Sequence, residues 1–200
     1  MSPDQRRRRL RGLSRALLPA CLAGIACGGP AHAEYPDKPV RLVVSYAPGN
    51  VADIVARITA EALAAQWKQT VVVENRPGQG GSLGAQVVAK APADGYTLLM
   101  ATTGVMSINQ ALYRNLAYDA ARDLEPVSYM ASITNVLVVG GESPLKSVGD
   151  VLAAARKAPG TLSFASSGAG SSTHMSGELF KSMAGVQMLH VPYKGSGPAL

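Results

Sequence analysis

Strand-like and helix-like segments alternate along this 200-residue chain, which predicts an α/β fold with parallel sheets built from βαβ units. Three observations carry that prediction. Apolar, β-branched runs recur at 40–46, 70–74, 96–102, 161–166 and 186–193. Segments with helical spacing lie between most of them. Clusters of Gly, Pro and Ser close nearly every run, as turns require.

The elements follow in order. "VRLVVSY" (40–46) is continuous and apolar, as a buried strand should be. In "ADIVARITAEALAAQW" the apolar face holds Val55, Ile58, Ala62 and Leu63, and another face holds Arg57 and Glu61. Asn50 is placed to cap this helix, with Asp53 as the acid of an N-x-x-D capping box. "TVVVE" (70–74) is the second strand. "SLGAQVVAKA" (82–91) is a short helix with Leu83 and Val87 stacked, and "YTLLMAT" (96–102) is the third strand. "VSYMASITNVLVV" (127–139) reads as strand-rich. "SVGDVLAAARKAPG" is a helix with legible ends: Ser147 and Asp150 form a capping box, and Pro159-Gly160 stop it. "TLSFAS", "THMSGELFKSMAG" and "VQMLHVPY" complete a strand, a helix and a strand. Pro198 suits a first helical turn, so the sequence stops where a helix begins, as expected of a fragment or a truncated gene.

The formal charge of +6 is concentrated at one end. Residues 1–33 carry six arginines against Asp4, whereas the rest holds 13 Lys and Arg against 12 Asp and Glu. A body so nearly neutral lacks the clustered cations that phosphate contacts need, which excludes a nucleic-acid partner. The N-terminus instead reads as a signal peptide over 1–33. "RRRRLRGLSR" is its basic region, "ALLPACLAGIACGG" its apolar region and "AHA" its cleavage site. Cleavage before Glu34 predicts an exported, periplasmic protein. Cys21 and Cys27 both fall in the removed segment, so the mature chain has no disulfide and no cysteine metal site.

Catalytic and cofactor motifs are missing. From Gly78 the G-x-G-x-x-G/A pattern meets Leu83 at its last position, and no phosphate-binding G-x-x-x-x-G-K-[ST] exists. No G-x-S-x-G occurs. A serine hydrolase using Ser171 and His174 is the rival reading, with no acid evident to orient the histidine. His190, in an apolar strand, reads as a core histidine. The sequence therefore predicts no catalytic residue, no metal and no cofactor.

Five strand ends share one design: "SYAPGNVAD", "ENRPGQGGSLGA", "MATTGVMSIN", "FASSGAGSSTHMSGELF" and "VPYKGSGPAL". Each runs from a strand through small residues into a helix. Small residues let a ligand approach the backbone, and helix N-termini offer free N–H groups to an anion. Together they predict a cleft lined by hydroxyls and amides.

Several of these segments, with "YPDKPVRLVV", "VENRPGQGGSLGA", "DGYTLL", "LYRNLAYDAARDLEPV" and "HVPYKG", resemble the Bug-type periplasmic receptors of tripartite tricarboxylate transporters. The resemblance runs from about Tyr35 to Leu200. It implies a periplasmic-binding-protein-like fold of two lobes, the first over 34–102 and the second, more complete, over 103–200. It implies a monomer that binds a small carboxylate or amino acid between the lobes and delivers it to membrane permease subunits. Carried onto matching positions, first-lobe contacts come from Tyr46, Ala47, Pro48, Gly49, Asn50 and Asp53, with Gly80 and Gly81. Second-lobe contacts come from Thr103 and Gly104, from Ser167, Gly168, Ser171, Ser172 and Thr173, and from Tyr193, Lys194 and Gly195. The first loop departs from the family, which commonly has two prolines followed by two glycines. Family members also run roughly a hundred residues further, so a non-functional fragment is the remaining alternative.

Overall fold

The computed structural model describes residues 34–200; the signal peptide expected over 1–33, with both cysteines, lies outside the described residues. The chain divides into two compact units, 1–37 and Lys38–Leu200. Of the first, 34–37 is described and is irregular. The second holds every element that follows.

A three-stranded parallel sheet has the order β2-β1-β3. β1 is Val40–Val44, β2 Val71–Asn75 and β3 Thr97–Met100. β1 pairs from Val40 with Val71 through Val44 with Asn75, and on its other side from Arg41 with Thr97 through Val44 with Met100. The central strand explains its own composition: Val40, Val43 and Val44 are fully buried, each worth about 1.5–3 kcal/mol of apolar transfer. Helix α1 (Val51–Trp67) joins β1 to β2, and α2 (Ser82–Ala89) joins β2 to β3. Because all three strands are parallel, their carboxyl ends emerge at one edge of the sheet, beside the residues that follow each strand.

The buried face of α1 differs from the expected one. Ala52, Ala56 and Ala60 pack on Leu42, Val44, Tyr46 and Met100, with Val55 at the margin, whereas Ile58 is 65% exposed and Ala62 is exposed. Alanines bring the helix axis close to the sheet, and the bulkier branched residues are then turned outward. Likewise α2 buries Ser82, Gly84 and Ala85 rather than Leu83. A Cβ on Gly84 would stand 2.9 Å from the Ser45 Cα, so α2 meets the end of β1 backbone to backbone.

Beyond β3 lie a wide π-helical turn (Gly104–Ile108) and two single-turn helices, α3 (Asn109–Leu112) and α4 (Ala120–Asp123). The strand-rich reading of 127–139 is not realised. That stretch has no secondary structure and is exposed throughout, including Val127, Tyr129, Val136 and Leu137. A β-branched run becomes a strand only where another strand completes its ladder, and none of the described strands pairs with it.

The second sheet pairs β4 (Ser163–Ser166) with β5 (Leu189–Pro192) in parallel, and α5 (Val148–Lys157) and α6 (Ser172–Ala184) share one core with it. Its core is Val151, Ala155, Val186 and Met188, with Leu162, Phe164 and Phe180 packed around them. α5 begins with the expected reciprocal capping box of Ser147 and Asp150. The chain closes with a single turn, α7 (Ser196–Ala199).

Candidate functional site

The five strand-end loops meet. After β1, the Ala47 N–H donates to the Lys194 carbonyl at 3.1 Å, and the Asn50 Nδ2 donates to Ser196 Oγ at 3.1 Å. After β2, a Cβ on Gly80 would stand 2.1 Å from the Ala169 carbonyl oxygen of the loop after β4. After β3, a Cβ on Gly104 would stand 2.7 Å from the Gly170 carbonyl oxygen. Gly168 approaches the Tyr193 carbonyl, and Gly195 approaches Ala47 and Asn50. Small residues were expected to admit a ligand to the backbone. In this arrangement they admit one loop to another. Gly80 also has φ of 58°, a left-handed conformation that a side chain resists.

Hydroxyls and one buried amide tie the loops down. The Tyr46 hydroxyl donates to the Gly80 carbonyl and lies 3.2 Å from Thr102 Oγ1; burial pushes its pKa up, partly offset by the Thr102 contact. The Tyr113 hydroxyl donates to the Ala169 carbonyl, and that of Tyr118 to the Val105 carbonyl. Asn109, fully buried, donates through Nδ2 to the Gly80 carbonyl and to Ser82 Oγ. Among the described residues, the Ser45 hydroxyl and the Asn109 Oδ1 acceptor are buried without a hydrogen-bond partner, and both sit at this junction.

Around the β1–α1 turn the cap takes a different form from the expected box. Asn50 Oδ1 accepts from the Ala52 N–H as an N-cap. Asp53 reaches past Asn50, whose own N–H goes to the Ala47 carbonyl, and accepts from the Gly49 N–H at 2.9 Å. Its carboxylate also accepts from Arg57 Nε at 3.0 Å and from Asn75 Nδ2 at 2.8 Å. Burial alone would raise the Asp53 pKa, but these hydrogen bonds and the Arg57 charge together hold it below the ordinary value. Asp53 is therefore a support for the turn, fully engaged by protein donors.

In the loop after β4, Thr173 Oγ1 is the hub. It accepts from the Ser167 N–H and lies 2.9 Å from the hydroxyls of both Ser167 and Ser171. Ser171 Oγ caps α6 by accepting from the His174 N–H. This is not a nucleophile–base pair: the His174 ring turns its Nδ1 to the Gly170 N–H. An acid does stand near that ring, Glu178, with Oε1 3.9 Å from Nε2, which the sequence reading missed.

Of the expected ligand contacts, Pro48, Gly49, Thr103, Ser172, Tyr193 and Lys194 are exposed, and Ala47 and Thr173 half-buried. Tyr46, Asn50, Asp53, Gly80, Gly81, Gly104, Ser167, Gly168, Ser171 and Gly195 are buried. All stand in the five converging loops. Asp53 and Lys194 are the charged members. Asp53 is paired with Arg57, which leaves Lys194 as an exposed cation at the rim. Reading the sequence missed Thr102, Asn109, Tyr113 and Ser196. Asn109 closes the strand-end segment "MATTGVMSIN", the one available signal. No group of three or more His, Cys, Asp or Glu suited to a metal occurs among the described residues.

These loops at the carboxyl ends of parallel strands in two sheets have the layout of a periplasmic solute receptor. The family model described as "Tripartite tricarboxylate transporter family receptor" matches residues 55–200. A protein encoded between tcbD and tcbE in Pseudomonas sp. (strain P51) is 42% identical over 166 residues, 83% of this chain and 49% of that protein. Protein BugT of Bordetella pertussis is 38% identical over 180 residues, 89% of this chain and 55% of that one. Among solved structures, R. palustris Rpa4515 with adipate is 42% identical with a TM-score of 0.80, covering 83% of this chain and 56% of that one. MatC from Rhodopseudomonas palustris with bound malate is 32% identical with a TM-score of 0.77, covering 82% and 56%. The chain belongs to the tripartite tricarboxylate transporter receptor family, and its fold is the α/β fold of periplasmic binding proteins. It spans about half the length of the relatives it matches.

Proposed function

We propose that this chain is an exported solute receptor that holds a small carboxylate-bearing anion between two lobes, 34–102 and 103–200. It then delivers the anion to the membrane permease of a tripartite transporter. The observation that carries the reading is the convergence of five strand-end loops, rich in amides and hydroxyls, beside the exposed cation Lys194. A carboxylate is suited to such donors, since each N–H or O–H it accepts is a charge-assisted bond. The adipate and malate bound in two relatives support a dicarboxylate. Of the residues named from the sequence, Pro48, Gly49, Thr103, Ser172, Tyr193 and Lys194, accessible from outside, meet the ligand. The buried ones act by shaping the loops. No residue is assigned a catalytic role.

Thermal unfolding of the 200-residue chain with adipate, malate, other small carboxylates and amino acids tests this. A ligand at 100 times its Kd should add ~2.7 kcal/mol, raising Tm by roughly 5–10 °C. A flat response to every compound refutes it. One observation favours a second reading, a chain that carries the loops without binding: the apolar side chains of 127–139 are exposed. Aggregation or non-cooperative unfolding would support that reading.

A further inference from the structure

Two histidines stand behind the binding loop and take no part in the proposed ligand contacts. The rings of His174, on α6, and His190, on β5, are stacked with centroids 4.0 Å apart and planes at 21°. His190 is stacked in turn on Phe164 of β4, centroids 4.9 Å apart. Each histidine reaches one amide of the loop 168–171. His174 Nδ1 accepts the Gly170 N–H at 3.2 Å. His190 Nε2 lies 2.6 Å from Ser166 Oγ, which accepts the Gly168 N–H at 3.1 Å. We propose that this stacked pair is an acid-sensitive clasp that positions the loop 168–171, so that anion affinity falls as the histidines take up protons. The proposal rests on the receptor reading given above.

The chemistry follows from the donors. A backbone N–H can only donate, so His174 Nδ1 must hold a lone pair and its proton sits on Nε2. Protonation puts a second N–H on Nδ1, facing the Gly170 N–H, and the bond is lost. His190 can keep its contact when protonated, by donating to Ser166 Oγ, but its charge then lies against the His174 ring. The charged groups facing the pair are Glu178 and Lys181, both on α6. Glu178 Oε1 is 3.9 Å from His174 Nε2, while Lys181 donates to both Glu178 oxygens at 2.9 Å. β4 and β5 contribute Ser166, Phe164 and the second histidine, with no further charge. Burial lowers both histidine pKa values; the Glu178 charge opposes this and the Lys181 charge adds to it. The sign is then fixed. The clasp is complete at and above the ordinary histidine value, ~6.5, and opens as the pH falls through the lowered values.

The test is amide hydrogen exchange of the labelled 200-residue chain from about pH 7.5 to about pH 5, read as protection factors. Protection of Gly170 should fall at least ~10-fold, with the midpoint of the His174 titration. In His174→Gln, whose side-chain oxygen accepts at any pH, it should stay level. His174→Gln also removes the charge that holds His190 down, and should move the His190 midpoint upward. Adipate affinity by calorimetry should fall about 5-fold or more on acidification in the wild type and not in His174→Gln. Gly170 protection that ignores the histidine titration, an unmoved His190 midpoint in His174→Gln, or affinity that rises with acid would overturn the clasp. Absence of carboxylate binding at every pH would refute the receptor reading alone, because the exchange readout needs no ligand.

Discussion

Replacing Gly80 and Gly185 by alanine, one at a time, measures how tightly the loops are pressed together. The two glycines have almost the same backbone, φ 58° and ψ 26° at Gly80 against φ 62° and ψ 38° at Gly185. Their surroundings differ completely. A Cβ at Gly185, the C-cap of α6, meets nothing within 4 Å, whereas at Gly80 it would stand 2.1 Å from the Ala169 carbonyl oxygen. Left-handed alanine costs about 1–2 kcal/mol at either site. At Gly80 the loops must also part by about 1 Å to restore an ordinary contact, and overpacking of this kind costs roughly 1–3 kcal/mol more. Gly185→Ala should therefore lose about 1–2 kcal/mol and Gly80→Ala about 2–5 kcal/mol. Urea unfolding followed by circular dichroism gives both values, with unchanged slopes as the check on two-state behaviour. Gly80→Ala should also weaken adipate binding, since it displaces the Ala169 loop, while Gly185→Ala should not. Equal stability losses at the two positions would refute the close approach.

Two further changes test the first turn. Asp53→Asn leaves an amide facing donors from Gly49, Asn75 and Arg57, and should cost about 1–3 kcal/mol. Because the folded state holds the Asp53 pKa below its ordinary value, the unfolded chain takes up the proton first as pH falls. Wild-type stability from this group is thus complete above ~3.9 and lost as pH falls through the lowered value; unfolding curves of Asp53→Asn should lack that loss. Asn50→Gly keeps a competent cap, at a few tenths of a kcal/mol, but removes the hydrogen bond to Ser196. Ligand ranking by calorimetry should change more than Tm; an unchanged ranking would show that Asn50 is only a cap.

What the sequence determined by itself is what neighbours in the chain can decide. The capping box of Ser147 and Asp150 spans three residues, and the Asn50 cap two, so both were legible. The central strand β1 announced itself because a strand buried on both faces must be mostly apolar, with Arg41, ion-paired to Glu74, as its exception. The five small-residue loops could be found because strand, turn and helix follow one another directly. Tertiary structure decided everything that needed a partner from elsewhere. Which face of α1 is buried depended on how near the sheet lies, and alanines prevailed over Ile58. The apolar run 127–139 had the composition of a strand but no partner among the described strands. Asn109 and Tyr113 carry no signal as isolated letters, and His174 and His190, taken one at a time, suggested a rival base and a core residue rather than a stacked pair. Their partners lie 16 to 56 residues away, and only the folded chain brings them within hydrogen-bonding or stacking reach.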